Sequence, residues 1–389
     1  MRRRWIAVLV AVASLSVVAH AQADASEVPQ GCDGDALTES VAVIRDLVAK
    51  QQVCGAVVMV TYRGATVVHE ALGFRDVASK QPMQADTLFR MASNTKAVTA
   101  AAVLTLVDEG KVSLDDPISK WFATWAEGDA KKVTVRQLLT HSSGLRIGTL
   151  FLRPLMTKSE EHPSAPNLVL ECARFGEVGP KVEPGTTYSY SNPGYNMLAG
   201  LVEVVTGEGF EDYCAARFYQ PLGMRDTNNH ESRADNGRMS VVVRGRSKGR
   251  WRARWSPGDR ATLPFVRGSG GLISTATDYE KFCRMVFFGG EVGDRRFLSR
   301  KMVEQATKNQ IPHIKGGRYG FGWRIDPGAT FSHSGSDGTF VWCDPARDLV
   351  GMVLTQTQAS KPLSQGRQRF RKLVTAACAP LDASSRAPR

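Results

Sequence analysis

Two valine-rich runs near the start of the chain have the apolar pattern of paired β-strands. They cover residues 54–62 and 65–72 and bracket Arg63-Gly64, a dipeptide that favours a tight turn. This pattern predicts a β-hairpin. Further on, residues 93–109 are rich in Ala, Val and Leu and stop before Gly110, which predicts one helix with a glycine at its end.

The rest of the chain divides into a stretch of short helices and a set of short strands. Residues 114–263 mix short helical patterns with Pro and Gly turns. Strand patterns follow at residues 321–325, 331–335, 339–344 and 349–356, with a turn at 345–347 and a helical pattern at 362–378. Strands near both ends, together with a closing helix, predict an α/β sandwich with an antiparallel sheet.

The first residues have the pattern of a secretory signal. Arg2-Arg3-Arg4 precede an apolar stretch over residues 5–18, and small residues that suit signal peptidase follow it. We expect residues 1–21 to be a signal peptide and the mature protein to be periplasmic or extracellular, without a transmembrane span. The alternative is a membrane anchor, for which this apolar stretch is short.

Positive charge is concentrated in one segment of this 389-residue chain, whose formal net charge is +12. Residues 244–254 alternate basic and other side chains, so an extended backbone would place the basic ones on one face. Lys248-Gly249 favours a hairpin turn within it. The segment, Arg244–Arg254, predicts either a surface for anionic cell-envelope polymers or lipid headgroups, or a solvated loop. An exported protein is not expected to bind nucleic acid.

The clearest chemical signal is the only serine in the chain that is followed three positions later by a lysine, Ser93 and Lys96. On a helix these two positions share a face, so the lysine amine can reach the serine hydroxyl. A serine hydroxyl is a weak nucleophile unless a neighbouring group takes its proton, and an amine buried in a cleft can do so. The other interpretation is a helix start with an exposed lysine.

Two further segments support a catalytic site. Tyr190 and Asn192 form the only Tyr-x-Asn in the chain. A tyrosine can transfer protons when nearby cations keep it partly deprotonated, and an asparagine amide can bind a substrate carbonyl. His333 and Gly335 form the only His-x-Gly, in a segment typical of a strand edge along which a substrate backbone can pair.

In this order, the three segments resemble those of the serine-reactive penicillin-recognising family: class C β-lactamases, DD-peptidases, D-aminopeptidases and related esterases. The resemblance covers nearly the whole mature chain, including residues 55–74, 133–145, 221–227, 268–278 and 319–323. It implies a β-lactamase/DD-peptidase-like α/β fold, in which helices flank an antiparallel sheet. The α/β domain would comprise residues 35–112 and 264–379, and residues 113–263 would be an inserted, mainly helical domain.

The resemblance also implies a role for each matched residue. Ser93 would be the acylated nucleophile, Lys96 its activating partner and Tyr190 the proton shuttle. The remaining matched groups would contact the substrate: Asn192, His333, Gly335, and the backbone N–H groups of Ser93 and Ser336 as the oxyanion hole. No metal ion or organic cofactor is implied.

One matched position departs from class C β-lactamases, which carry lysine where this chain has His333. Lysine is charged at pH 7 and attracts the carboxylate of a β-lactam, whereas histidine is mostly neutral until the pH falls toward about 6. The difference argues against efficient β-lactamase action. Lys315, followed by two glycines, is interpreted as part of a loop rather than the lysine form of this motif. His141 is interpreted as a structural histidine at a helix end.

The sequence therefore predicts a secreted serine hydrolase that acts through an acyl-enzyme on small esters or D-amino-acid peptides. Its partner would be a small-molecule or peptide substrate. One alternative is a slow β-lactamase. An alternative of another class is a non-catalytic protein that binds the cell envelope or peptidoglycan, which would not need Ser93, Lys96 and Tyr190 together.

The seven cysteines suggest disulfide bonding in an oxidising compartment, and their odd number leaves at least one unpaired. Cys32 and Cys378 lie near the two mature ends, so a bridge between them is attractive, although sequence does not fix connectivity. Cys54 and Cys343 lie in apolar strand patterns and fit small buried residues.

Overall fold

The computed structural model describes residues 29–146, 157–247, 250–261 and 264–381. The predicted signal peptide, residues 1–21, lies outside the described residues, and so does the predicted turn at Lys248-Gly249. Within the described ranges, no helix has both the length and the apolar composition needed to cross a bilayer.

Long strands lie toward the two ends of the chain, and several helices lie between them. The helices are α1 (Gly34–Ala49), α2 (Thr95–Asp108), α3 (Val135–Leu139), α4 (Leu168–Val178), α5 (Asn192–Thr206), α6 (Phe210–Cys214), α7 (Ala276–Phe287), α8 (Arg300–Ala306) and α9 (Lys361–Ala377). The strands are β1 (Gly55–Tyr62), β2 (Ala65–Asp76), β3 (Gln81–Pro82), β4 (Phe89–Arg90), β5 (Val242–Ser247), β6 (Arg250–Trp255), β7 (Ile273–Ser274), β8 (Glu291–Val292), β9 (Arg295–Arg296), β10 (Arg324–Ile325), β11 (Phe331–Ser334), β12 (Phe340–Asp344) and β13 (Leu349–Leu354).

A seven-stranded antiparallel sheet is the centre of the fold, with the strand order β10-β11-β12-β13-β1-β2-β3. β1 and β2 form the predicted hairpin, and Arg63 and Gly64 both have the positive φ that a two-residue turn requires. β13 pairs with β1 from Val57 opposite Leu354 onwards, so strands from both ends of the chain are neighbours. The predicted α/β sandwich is confirmed.

Helices cover both faces of the sheet, and β1 is therefore buried at every position. Val58 packs in one core with Ile44 of α1 and Phe370 of α9. Val57 belongs to the larger core on the other face, which includes α2 and α7. α2 is buried from Thr95 to Leu106, which explains why its sequence has no polar face.

β5 and β6 form the predicted basic hairpin, which pairs separately from the central sheet. Arg244 lies opposite Arg252, and strand alternation places Arg250 and Arg254 on the same exposed face. Trp255, on the other face, is buried. Like charges that face each other across a strand pair are destabilising, and an anionic polymer is the partner expected for this face from the sequence. That partner stays a prediction.

The seven cysteines are free thiols in the structure. Cys54 and Cys343 are buried, as their apolar surroundings in the sequence predict. Cys32 and Cys378 are neighbours, with their sulfur atoms 3.3 Å apart and no bond between them.

Candidate active site

Ser93 lies at a sharp turn between β4 and α2. The sequence predicts a helix from residue 93, but Ala92–Asn94 form a 3-10 turn and α2 begins after it. Ala92 has a φ of 47°, in the left-handed region, which costs a non-glycine residue on the order of 1 kcal/mol. The Asn94 side-chain amide donates to the hydroxyl of Thr339 at 2.8 Å, which ties this turn to the sheet.

Lys96 lies on the first turn of α2, and its side chain is fully buried. Its Nζ contacts three oxygens: Ser93 Oγ at 3.1 Å, Asn192 Oδ1 at 2.8 Å and the Ser269 carbonyl oxygen at 2.7 Å. Burial lowers the pKa of Lys96 well below its ordinary value, and the positive charge of Arg267 lowers it further. Because none of the three oxygens is a carboxylate, this environment favours the neutral amine.

The contacts of Lys96 also fit a neutral amine geometrically. The Asn192 amide oxygen and the Ser269 carbonyl oxygen can only accept hydrogen bonds, and a neutral amine has two N–H groups and one lone pair. With both N–H groups donated to these oxygens, the lone pair is left for the Ser93 hydroxyl. The arrangement can therefore take a proton from Ser93.

Tyr190 and Asn192 reach the site from the start of α5, where Ser191 caps the helix by accepting a backbone N–H at 3.1 Å. The Tyr190 ring lies 4.7 Å from Lys96 Nζ, and its hydroxyl interacts with Ser93. Although part of Tyr190 is exposed, burial of the hydroxyl end raises its pKa, against a smaller lowering by Ser93. The expectation of a partly deprotonated tyrosine is therefore wrong. Tyr190 is a neutral phenol, able to relay a proton rather than to act as the base.

His333 lies on β11, with both ring nitrogens in hydrogen bonds. Its Nδ1 is 3.1 Å from the Ser334 carbonyl oxygen, which can only accept, so Nδ1 carries the proton. Its Nε2 then accepts from the Tyr319 hydroxyl at 2.9 Å. Burial lowers the pKa of His333 to about 3. The expectation that His333 gains its charge toward pH 6 is therefore wrong.

Gly335 follows β11 at the point where the sheet approaches the nucleophile turn. A Cβ there would lie 2.3 Å from Thr339 Oγ1 and 2.5 Å from the Met91 carbonyl oxygen, so the contact requires glycine. Ser336 is exposed at the next turn, and its backbone N–H has no hydrogen-bond partner among the described residues. β10 pairs only with the first half of β11, which leaves the edge beside His333 free of a neighbouring strand in the part of the chain that the structure describes.

The predicted residues thus gather around one point. Ser93, Lys96, Tyr190 and Asn192 are in contact, the Tyr190 and His333 ring centroids are 6.4 Å apart, and Gly335 abuts the turn that carries Ser93. Sequence reasoning missed several residues that hold this group together: Asn94, Arg267, Ser269, Tyr319 and Thr339. Tyr319 and Ser269 lie in segments that carry the family resemblance, but no feature of the sequence indicates their contacts.

The fold and this group of side chains define the class of protein. A central antiparallel sheet flanked by helices, with a Ser-x-x-Lys pair at the start of a buried helix, is the architecture of the β-lactamase/DD-peptidase fold. The chain matches the family model described as Beta-lactamase over residues 41–376, and it belongs to that family.

Individual relatives agree with this assignment. Protein Rv1367c of Mycobacterium tuberculosis is 31% identical over 356 residues, which cover 81% of this chain and 88% of the relative. Esterase EstB of Burkholderia gladioli is 33% identical over 195 residues, 48% of this chain and 49% of the relative. The solved structure of EstCE1, a hydrolase with promiscuous acyltransferase activity, has a TM-score of 0.73 at 20% identity, and the match covers 88% of this chain and 99% of that one. The chain is a hydrolase of the serine β-lactamase fold.

Proposed function

We propose that the protein is an exported serine hydrolase that forms an acyl-enzyme at Ser93 and acts on small esters or D-amino-acid peptides and amides. The observation that carries the proposal is the environment of Lys96. It is buried, lies 3.1 Å from the Ser93 hydroxyl, and has no carboxylate among its hydrogen-bond partners in the described residues. The signal-like pattern of residues 1–21 supports export.

In the proposed reaction, Ser93 Oγ bonds to the acyl carbon of the substrate while its proton passes to Lys96 Nζ. The tetrahedral intermediate collapses, the bond to the leaving group breaks, and the Tyr190 hydroxyl relays a proton to the departing oxygen or nitrogen. Water then attacks the acyl-enzyme by the same proton transfers and releases the acid. The reaction uses the neutral amine and the neutral phenol that the site provides.

Backbone groups would stabilise the charge that develops on the substrate oxygen. The N–H groups of Ser93 and Ser336 are the proposed oxyanion donors. Asn192 donates none of its amide hydrogens to Lys96, because only its Oδ1 is used there, so its Nδ2 is available to a substrate carbonyl. The free edge of β11 beside His333 would hold an extended acyl group.

The state of His333 supports esters and amides over β-lactams. A neutral ring whose two nitrogens are already in hydrogen bonds offers no positive charge to a β-lactam carboxylate. The likeness to Esterase EstB supports the ester class.

A hydrolysis panel on the purified protein tests the proposal, with short p-nitrophenyl esters, D-Ala-D-Ala peptides, D-amino-acid anilides and nitrocefin. Turnover of esters or D-amino-acid substrates above nitrocefin is expected. Absence of turnover and of covalent labelling would favour the non-catalytic envelope-binding alternative.

Changing His333 to lysine is expected to shift specificity toward β-lactams. The new charge should raise the ratio of nitrocefin to ester kcat/KM by roughly 5- to 30-fold, which corresponds to about 1–2 kcal/mol for a partly desolvated pair. His333→Gln, which adds no charge, is the matched control and should leave the ratio near its original value.

In the unaltered protein the ratio of nitrocefin to ester kcat/KM should be flat from about pH 8 to about pH 5, because a pKa of about 3 keeps His333 neutral over that range. Efficient nitrocefin hydrolysis by the unaltered protein, or a ratio that climbs as the pH falls through 6, would contradict this account.

A further inference from the structure

The two ends of the described chain meet in a short antiparallel pairing at Cys32 and Cys378. The Asp33 N–H donates to the Ala377 carbonyl at 2.9 Å, and the Ala379 N–H donates to the Gly31 carbonyl at 2.7 Å. These two hydrogen bonds lie on either side of the cysteines, so the cysteines are a non-hydrogen-bonded pair of the antiparallel ladder. In such a pair the opposite Cα atoms are about 4.5 Å apart. A disulfide spans Cα atoms about 4.4–6.8 Å apart, so the backbone already has the required spacing.

Neighbouring side chains fix the pairing in place. The Tyr62 hydroxyl at the end of β1 lies 3.3 Å from the Gly31 carbonyl oxygen and 3.1 Å from that of Ala379, which are on opposite strands at the same end of the pairing. The Arg63 guanidinium donates to the Gln30 carbonyl at 3.2 Å. The sulfur atoms of the two cysteines are 3.3 Å apart. Of the cysteines, only Cys32 is not fully buried, so it is the one that a reagent in solution reaches first.

We propose that Cys32 and Cys378 form a disulfide that links the two ends of the chain. The oxidant is a protein or small-molecule disulfide. The Cys32 thiolate attacks one of its sulfurs, forms a mixed disulfide and releases one thiol, and the Cys378 thiolate then attacks the Cys32 sulfur and releases the second. The two cysteines lose two protons and two electrons in total, and the oxidant is reduced to two thiols. Burial raises the pKa of both thiols, so the exchange should be slow without a catalyst.

The proposal is tested by incubating the purified chain with oxidised or reduced glutathione. After oxidation, non-reducing peptide mapping should give one linked peptide that contains Cys32 and Cys378, and its mass should be that of the two thiol peptides less two hydrogens. The Tm of the oxidised protein should exceed that of the reduced protein by about 5–15 °C, because the bond closes a very long loop. The double variant Cys32→Ser, Cys378→Ser should show no such difference, and its Tm should match that of the reduced protein. Alkylation of both cysteines as free thiols after oxidation, or an equal Tm in the two buffers, would refute the bond.

A separate set of contacts concerns His141, which the sequence suggested was structural. Its ring is fully buried, and its Nδ1 accepts the Ser191 N–H at 3.0 Å. Its own carbonyl oxygen accepts the Ser189 N–H at 2.8 Å. One residue therefore holds the backbone on both sides of Tyr190. His141 has a φ of 59°, a left-handed conformation that histidine tolerates better than most residues.

The His141 ring also packs against the tyrosines of the site. Its centroid lies 4.3 Å from that of Tyr190, 4.9 Å from Tyr195 and 4.6 Å from Tyr319. Because Nδ1 accepts a hydrogen bond, the proton of the neutral ring is on Nε2, which has no hydrogen-bond partner among the described residues. A doubly protonated ring could not accept the Ser191 N–H, so the contact requires neutral histidine. Burial lowers the pKa of His141 well below its ordinary value and so maintains that state.

We infer that His141 is a positioning residue that holds the Tyr190 hydroxyl against Ser93. This inference rests on the proposed acyl-enzyme function, because Tyr190 must have a proton to relay. It is distinct from a catalytic role, since His141 contacts the backbone of the segment and the Tyr190 ring rather than the reacting oxygen.

Three substitutions test this inference, since they separate the hydrogen-bond acceptor from the backbone conformation. His141→Asn keeps an acceptor near the position of Nδ1 and tolerates a left-handed backbone, His141→Gly removes the acceptor without backbone strain, and His141→Leu removes it but fills the space. We expect kcat to fall about 10- to 100-fold in the Gly and Leu variants with little change in KM, and to recover in the Asn variant. The rate of fluorophosphonate labelling at Ser93 should follow the same order.

The possible outcomes separate this inference from the proposed function. If the unaltered protein is not labelled at all, the acyl-enzyme proposal fails. If the unaltered protein is labelled, and a folded His141→Gly or His141→Leu variant reacts with the fluorophosphonate as fast as the unaltered protein does, the positioning role of His141 is wrong. Equal losses in the Asn, Gly and Leu variants would also contradict it, because the acceptor would then not be what matters.

Discussion

Replacing Ser93 with alanine is expected to abolish covalent labelling by a fluorophosphonate or a labelled penicillin and to lower kcat on the order of 10⁴-fold or more. The physical reason is that the substitution removes the attacking oxygen, and no other hydroxyl is hydrogen-bonded to Lys96 among the described residues. Labelling is followed by intact mass, and turnover is measured on the best ester of the panel. The fold should persist, because the strained turn is held by Asn94 and Thr339 rather than by Ser93.

A matched control is Ser79→Ala, which removes a hydroxyl from an exposed turn, where Asp76 is its one hydrogen-bond partner among the described residues. It should label and turn over at the rate of the unaltered protein. Peptide mapping decides the assignment: an adduct on any serine other than Ser93, or retained turnover in Ser93→Ala, would require a different nucleophile.

Much of the fold could be predicted because it is encoded in local patterns. The turn at Arg63-Gly64 separates two valine-rich runs, and only one pairing of the two runs follows from a two-residue turn. The apolar helix that ends before Gly110 and the last helix, α9, were also predicted to within two residues at each end. The 3-10 turn over Ala92–Asn94, which places Ser93 just before α2, was not predicted, because the left-handed conformation of Ala92 depends on contacts with distant parts of the chain, including Thr339.

The identities of the site residues were also accessible from sequence, but their protonation states were not. Ser93, Lys96, Tyr190 and Asn192 stand in short motifs that chemistry makes recognisable. Whether Lys96 is neutral depends on its burial and on the Ser269 carbonyl, more than 170 positions away in the chain. For the same reason the expected charge on Tyr190 and the expected titration of His333 were wrong. Both follow from desolvation, which a sequence does not specify.

The proton-transfer machinery should respond more to the loss of Lys96 than to the loss of Tyr190. Each of Lys96→Ala and Tyr190→Phe is expected to slow acylation by at least about 10²-fold, and Lys96→Ala by more, because the amine is the base whereas the phenol is a relay.

In the unaltered protein, activity should fall as the pH drops through the lowered pKa of Lys96, since protonation occupies the lone pair that accepts the Ser93 proton. This acidic decline should be lost from the residual activity of Lys96→Ala and kept in Tyr190→Phe. Stopped-flow acylation rates across the pH range measure both effects, with Lys111→Ala, an exposed lysine, as the control. Near-normal rates in both variants would mean that a group other than Lys96 and Tyr190 takes the proton from Ser93.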